Sequence, residues 1–222
     1  MRRLLSFHAL LVYLFLYLPI LVVVALSFNE SRRGVHFTGF TLKWYHGRFE
    51  DPSVMEYFAN TLVVALVSTL VSTVLGTLLA LGLVRYRFPG KGFLRYLLYV
   101  PVVVPDVVMG VSLLLLFAFS RELLGFPRLS LLTVILGHIT FQVAFVTLVV
   151  RSRLLLLDPA LEEAARDLGA RGFQTFLHVT LPLAWPGVAA GALLALTLSL
   201  DDFVVTFFTA GPGATTLPLY IY

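Results

Sequence analysis

Five apolar runs without a single Lys or Arg constrain this chain more than any other feature. A helix needs roughly 20 residues to cross about 30 Å of hydrocarbon, and each run is long enough to do so. Hydrophobic residues make up 59% of the chain and charged residues only 13%, about half the charged fraction of a soluble domain. The sequence therefore predicts an all-α integral membrane protein with one membrane domain over residues 1–222 and spans at approximately 9–28, 60–84, 96–119, 129–150 and 186–210.

The composition also narrows the possible chemistry. The chain has no cysteine, which excludes disulfides and thiolate metal sites, and we predict no metal site. Its basic residues lie beside the apolar runs and form no single stripe, so nucleic-acid binding is not expected. The first run is about 20 residues long, against 7–15 for the apolar part of a signal peptide, so we expect an uncleaved span.

Basic residues near span ends predict the orientation, because Lys and Arg concentrate on the cytoplasmic side. With the N-terminus inside, the inner segments hold ten basic residues and the outer segments six. The inner set is Arg2, Arg3, Arg85, Arg87, Lys91, Arg95, Arg151, Arg153, Arg166 and Arg171, and the outer set is Arg32, Arg33, Lys43, Arg48, Arg121 and Arg128. We therefore predict a cytoplasmic N-terminus and a cytoplasmic segment at about 151–185.

Three carboxylates, Asp106, Asp201 and Asp202, lie within the predicted spans, with no basic residue there. A charge at this depth costs several kcal/mol, so such residues usually face a cavity or a partner. Acids without a base indicate a pathway for cations. Alternatively, each could cap a broken helix, stay protonated or pair with an Arg of another subunit. In a continuous helix, Asp201 and Asp202 would point about 100° apart and could not face one spot.

Two of these predicted spans carry further signals. Pro101 and Pro105 precede Asp106, and prolines remove backbone donors, so the third span is predicted to be bent or broken there. His138 and Gln142 lie one turn apart on the fourth span. Polar residues in lipid commonly hydrogen-bond neighbouring helices. A substrate contact is the alternative interpretation for His138.

The cytoplasmic segment reads "DPALEEAARDLGARGFQTFLHVTLPLAWPG" and looks like soluble protein. Asp158 is a good N-cap before Pro159, and Gly169 falls where a helix C-terminus favours a left-handed residue. An apolar face follows helical spacing at Leu161, Ala164, Ala165 and Leu168. A second short helix is predicted from Phe173 to about Thr180, with Pro182 as its stop.

This segment resembles the signature loop of binding-protein-dependent ABC importer permeases. The resemblance rests on the spacing of a few residue types, namely Glu163, Ala164, Ala165, Gly169, Leu181 and Pro182. It implies the transmembrane fold of a type I ABC importer in a bacterial inner membrane. It also implies four kinds of partner: a pair of ATP-binding subunits docked on these residues, a second permease subunit, a solute-binding protein and the lipid bilayer. ATP and Mg²⁺ would bind the partner, with no cofactor in this chain.

Longer stretches point to one branch of that family. "VPVVVPDVVMGVSLLLLF", "GHITFQVAFVTLVVRSRL" and "SLDDFVVTFFTAGPGATTLPLYIY" resemble the smaller permease of spermidine/putrescine importers. This implies a polyamine substrate, which agrees with the acid-only spans, although relatives import other small solutes. Permeases of this type usually have six spans, so we expect that the sequence is truncated after Tyr222 or lacks the last span.

Other functions have less support. The chain has no Gly-x-x-x-x-Gly-Lys-Ser/Thr loop, so we predict no ATP hydrolysis and no catalytic residue. A stand-alone carrier or channel would suit broken helices with buried acids, but the spans are few and show no evident inverted repeat. A third alternative is a structural membrane protein whose cytoplasmic helices lie on the lipid surface. Such an interfacial helix should carry a basic polar face. Here Arg166 and Arg171 are offset by four acidic residues, namely Asp158, Glu162, Glu163 and Asp167.

Overall fold

The computed structural model describes the backbone of residues 2–31 and 36–222, and side chains from Leu5 onward within those ranges. Arg32 and Arg33, counted above among the outer basic residues, lie outside the described residues. Contacts divide the chain into two compact units, 1–55 and 56–222, and each is described by itself.

The first unit consists of a long helix followed by a small polar cap. Helix α1 spans Arg2–Ser27 and is exposed along its apolar length. In the cap, buried Asn29 donates from Nδ2 to the His36 carbonyl at 2.7 Å and accepts from the Thr38 amide at 2.9 Å. The Trp44 indole donates to the Asn29 carbonyl at 2.9 Å, which ties helix α2, Lys43–Phe49, to the cap.

The second unit is helical throughout its regular structure. It contains the helices α3 (Pro52–Arg85, which begins just before the unit boundary), α4 (Lys91–Leu97), α5 (Val100–Val103), α6 (Asp106–Leu124), α7 (Leu131–Leu154), α8 (Ala160–Asp167), α9 (Gly172–Thr175), a π-helical turn (Phe176–Thr180), α10 (Leu181–Leu200), α11 (Val204–Thr209) and α12 (Leu217–Ile221). Within the described residues, five helical segments are long and apolar enough to cross a membrane. The prediction of an all-α protein with five spans is therefore confirmed.

The core of this unit lies where α3, α7 and α10 meet. Val146 of α7 is fully buried, and a Cβ at Gly76 of α3 would come within 2.7 Å of its Cγ1. A Cβ at Gly191 of α10 would lie 3.3 Å from the same methyl group. Small residues at these crossings let the backbones approach closely, as helix packing in lipid requires.

The second, third and fourth spans differ in extent from their sequence-based bounds. The second begins at Pro52, where the Asp51 carboxylate accepts the Ser53 amide at 2.9 Å and starts the helix early. The third is broken as expected, and only its part from Asp106 onward is a spanning helix. Extended backbone at Val104 and Pro105 separates it from α5. The fourth is shifted to Leu131–Leu154.

The fifth span is the largest correction. Pro182 was expected to stop the cytoplasmic helix, yet helical structure continues from Gly172 to Leu200. Pro182 lies in the first turn of α10, directly after the π-helical turn. A π-helix bonds residue i to i+5, and this wider turn accommodates a residue that lacks an amide donor. The helix then ends at Leu200, before Asp201, rather than running on to residue 210.

Candidate functional site

The segment predicted to be cytoplasmic forms a helix, a turn and a second helix, as the sequence indicates. Asp158 Oδ1 accepts the Ala160 amide at 2.9 Å and starts α8. Gly169 follows the helix with a φ of +89°. This left-handed conformation strains any residue with a Cβ, so the turn favours glycine.

The exposed side of this segment is rich in apolar groups. Leu168 is 91% exposed and Phe173 is 73% exposed, and Glu163, Ala164 and Gly169 are exposed beside them. Exposed large apolar groups are common at surfaces that bind partners. We call these five residues the coupling surface, after the role that the sequence predicts for this segment. Of the other predicted loop residues, Ala165 and Leu181 are half-buried and Pro182 is exposed.

The predicted apolar face of α8 does not form the buried side of that helix. Leu161 and Leu168 are exposed, and Glu162 is the buried residue, at 7% exposure. Arg85, at the end of α3, reaches Glu162 Oε1 with Nη2 at 2.8 Å and Nε at 3.0 Å. This ion pair turns Glu162 inward and rotates the apolar face outward.

The intramembrane acids meet at one cavity. A space of about 520 Å³ is bordered by all three predicted carboxylates, Asp106, Asp201 and Asp202. The remaining lining is mainly apolar or aromatic: Pro101, Val102, Val104, Met109, Phe141, Phe145, Leu198, Phe203, Val204, Val205 and Tyr222. The expectation that Asp201 and Asp202 could not face one spot assumed a continuous helix. Because α10 ends at Leu200, both border the cavity.

Two of these carboxylates are available to a ligand. Asp106 is the first residue of α6, directly after the helix break, and is exposed. Asp201 is exposed at the end of α10. Neither carboxylate makes a hydrogen bond or an ion pair with the residues that the structure describes. A ligand in the cavity would therefore meet carboxylates that the protein leaves unpaired.

Asp202 has a different environment. Its Oδ2 accepts the Thr206 amide at 2.8 Å and the Thr206 hydroxyl at 2.9 Å, and Oδ1 accepts the Val205 amide at 3.3 Å. It therefore caps the start of α11, as an N-terminal carboxylate does. His138 Nε2 lies 3.2 Å from the same Oδ2.

His138 is 1% exposed and lies behind the cavity wall. Its Nδ1 is 2.7 Å from Ser199 Oγ, and its Nε2 is 3.0 Å from Thr206 Oγ1. Both ring nitrogens thus have protein partners, and His138 does not border the cavity. The geometry favours the interpretation of His138 as a contact between helices, and a direct substrate contact gains no support.

The network around His138 continues through the core. Gln142 Nε2 donates to Ser68 Oγ at 3.1 Å and to the Ala195 carbonyl at 3.2 Å. Ser68 Oγ lies 3.4 Å from Ser199 Oγ. Polar contacts thereby link side chains of α3, α7 and α10 to one another and, through His138, to Asp202.

The matching family is described as the inner membrane component of binding-protein-dependent transport systems, and it covers residues 72–221. The chain is 44% identical to the spermidine/putrescine transport system permease protein PotC of Escherichia coli (strain K12), over 95% of this chain and 78% of that protein. It is 42% identical to the putrescine transport system permease protein PotI of the same strain, over 96% and 76%.

A solved structure shares the fold. A bacterial ABC transporter involved in the import of the acidic polysaccharide alginate superposes with a TM-score of 0.75 at 18% identity, over 100% of this chain and 84% of the matched chain. At that identity the likeness concerns the fold alone. The family match and the PotC and PotI identities establish the relationship: this chain belongs to the inner membrane permease components of binding-protein-dependent ABC transport systems.

Proposed function

We propose that this permease subunit carries polyamines such as spermidine or putrescine through an ATP-driven importer, with its N-terminus in the cytoplasm. The observation that carries the proposal is the cavity with two unpaired carboxylates, Asp106 and Asp201. The names of its PotC and PotI relatives support the same substrate class.

The chemistry of the cavity fits a chain with several ammonium groups. A carboxylate accepts short, charge-assisted hydrogen bonds from an ammonium group. Aromatic faces attract cations, and the rings of Phe203 and Tyr222 lie 5.2 Å apart at the lining. Methylene segments between the ammonium groups would contact the apolar wall. Asp202 and His138 would stabilise the structure of the cavity wall and would not bind the substrate.

The coupling surface would dock one of a pair of ATP-binding subunits, which would hold ATP and Mg²⁺. Glu163, Ala164 and Gly169 would form its centre, and the neighbouring Ala165, Leu181 and Pro182 would complete the docking site. A second permease subunit and a solute-binding protein would complete the importer. ATP-driven movement of the docked subunits would open the cavity alternately to the two sides of the membrane.

Uptake of radiolabelled spermidine by the reconstituted full complex tests the substrate site. We expect Asp106→Asn and Asp201→Asn each to lower uptake about tenfold, equivalent to about 1.4 kcal/mol, because each removes a charged acceptor. Asp106→Glu and Asp201→Glu are the matched controls, since they keep the charge, and should lose less. Unchanged uptake by the Asp106→Asn/Asp201→Asn double variant would exclude these carboxylates as the cation site.

Co-purification with the ATP-binding subunits tests the docking surface. We expect Glu163→Lys and Gly169→Trp to abolish it, the first by reversing a charge and the second by placing a large side chain at a left-handed turn. Glu122→Lys is the matched control, because it makes the same charge change at an exposed residue near the end of α6, outside the coupling surface. It should co-purify normally. Retained association by both loop variants would contradict the assigned surface.

A further inference from the structure

One oxygen of Glu162 joins three separate elements. Arg85 Nη2 and Nε, at the end of α3, reach Oε1 at 2.8 and 3.0 Å. The Thr180 hydroxyl, in the π-helical turn before α10, donates to the same Oε1 at 2.9 Å. Oε2 faces Arg166, one turn along α8, at 3.6 Å.

The neighbouring carboxylate points the other way. Glu163 is exposed on the coupling surface, whereas Glu162 and Thr180 are buried. A movement of α8 would therefore be transmitted inward by Glu162. A buried ion pair is weak evidence for stability, since apolar side chains of similar size often do as well. Its best attested use is to fix the register of one element against another.

Thr180 is connected to the cavity through helix α10. It ends the π-helical turn, and helical structure continues from there to Leu200, next to Asp201 at the cavity. Single π-helical turns inside α-helices occur frequently at functional sites. A second cavity of about 470 Å³ borders Arg85, Glu162 and Thr180, so the contact has open space on one side.

We infer that Glu162, held by Arg85 and Thr180, is a positioning residue that transmits movement of the coupling helix α8 to α10 and so to the substrate cavity. This rests on the proposed function, because it requires ATP-binding subunits docked on the coupling surface. It separates two roles within one motif: Glu163 holds the ATP-binding subunit, and Glu162 passes the movement on.

The test uses the complete importer in proteoliposomes, with spermidine-loaded binding protein outside and ATP inside. The readouts are spermidine transported per ATP hydrolysed and the amount of ATP-binding subunit retained. For Glu162→Gln we expect normal retention and at least about a fivefold lower transport ratio, the lower end of ordinary coupling between sites. Thr180→Val, which keeps the shape and removes the hydroxyl, should lower the ratio less. Thr180→Ser, which keeps the hydroxyl, should leave the transport ratio at the value of the unaltered protein.

Three results would overturn the inference. A normal transport ratio for Glu162→Gln would show that the contact carries no coupling. Loss of the ATP-binding subunit from Glu162→Gln, as expected for Glu163→Lys, would make Glu162 a docking residue. If Glu162→Gln prevents assembly of the permease, Thr180→Val decides, and a normal ratio there would reject the inference. Absence of ATP-driven transport by the unaltered complex would instead reject the proposed function itself.

Discussion

Two pairs of adjacent carboxylates, Glu162–Glu163 and Asp201–Asp202, lie near opposite ends of the same continuous helical region. In each pair one acid is turned inward and bound, and the other is exposed. Glu162 binds Arg85 and Asp202 contacts His138, whereas Glu163 and Asp201 are exposed. In both places the bound acid fixes the local structure, which leaves its neighbour available to a partner or a ligand.

The difference between the pairs lies in how the inward acid is held. Glu162 is within a helix and depends on a distant guanidinium, which is always charged. Asp202 is at a helix break and accepts two backbone amides besides its contact with His138. The first arrangement links elements far apart in the chain, and the second mainly supports the helix that follows it.

The largest effect is expected from Arg85→Gln, which leaves the buried Glu162 carboxylate without its main cation. Breaking a buried pair from one side costs about 3 kcal/mol or more. The free energy of unfolding, measured by SDS titration of the purified chain in mixed micelles, should fall by this amount. Arg87→Gln is the matched control, because Arg87 is exposed just beyond the same helix. Equal losses for the two variants would show that the buried pair has no special weight.

The second largest effect is expected from Asp202→Ala, because it removes the acceptor for two amides and a hydroxyl at the start of α11. We expect the free energy of unfolding to fall by about 2 kcal/mol in the same titration. Asp201→Ala should change it by less than about 0.5 kcal/mol, as exposed substitutions usually do. A larger loss for Asp201→Ala would reverse the roles assigned within this pair.

Thr206→Val tests the hydroxyl that lies between Asp202 and His138. Its loss removes the hydroxyl contact with Asp202 at 2.9 Å and leaves the backbone cap in place. We expect a decrease of about 1 kcal/mol in the free energy of unfolding. Thr197→Val is the control, since that hydroxyl bonds within its own helix and is exposed. Equal losses of unfolding free energy in the two variants would show that the Thr206 hydroxyl does not help to hold Asp202.

The smallest effect is expected from Arg166→Gln. Arg166 also faces Glu162, at 3.6 Å, but its side chain is 58% exposed. Solvent-exposed pairs along a helix contribute less than about 0.5 kcal/mol, so the unfolding titration should barely change. A loss as large as that of Arg85→Gln would mean that Glu162 depends on both cations equally.

Features set by nearby residues could be predicted from the sequence. The spans follow from the length of the apolar runs, a property of each run alone. The broken third span follows from Pro101 and Pro105, and the glycine turn from Gly169 at the end of a periodic pattern. The three carboxylates are recognisable as candidate site residues because charge is rare in such runs.

Features set by distant contacts could not be predicted. The inward turn of Glu162 depends on Arg85, 77 positions earlier in the chain, and a helical pattern of apolar residues carries no sign of it. The break between Leu200 and Val204 contains no proline or glycine. There a carboxylate caps a new helix beside His138 of α7. Pro182 by itself predicts a helix stop, because the π-helical turn before it has no known signal in the sequence.

The close packing of Gly191 on Val146 divides the helical region 172–200 unequally. At 1.5 Å per residue, about 28 Å lies between Gly172 and that crossing, and about 15 Å between the crossing and Asp201. If the helix pivots there, as a lever does on a fulcrum, its two ends move in opposite directions. Asp201 then travels about half as far as the end at Gly172. The position of this glycine would thus set the ratio between the movements of the two helix ends.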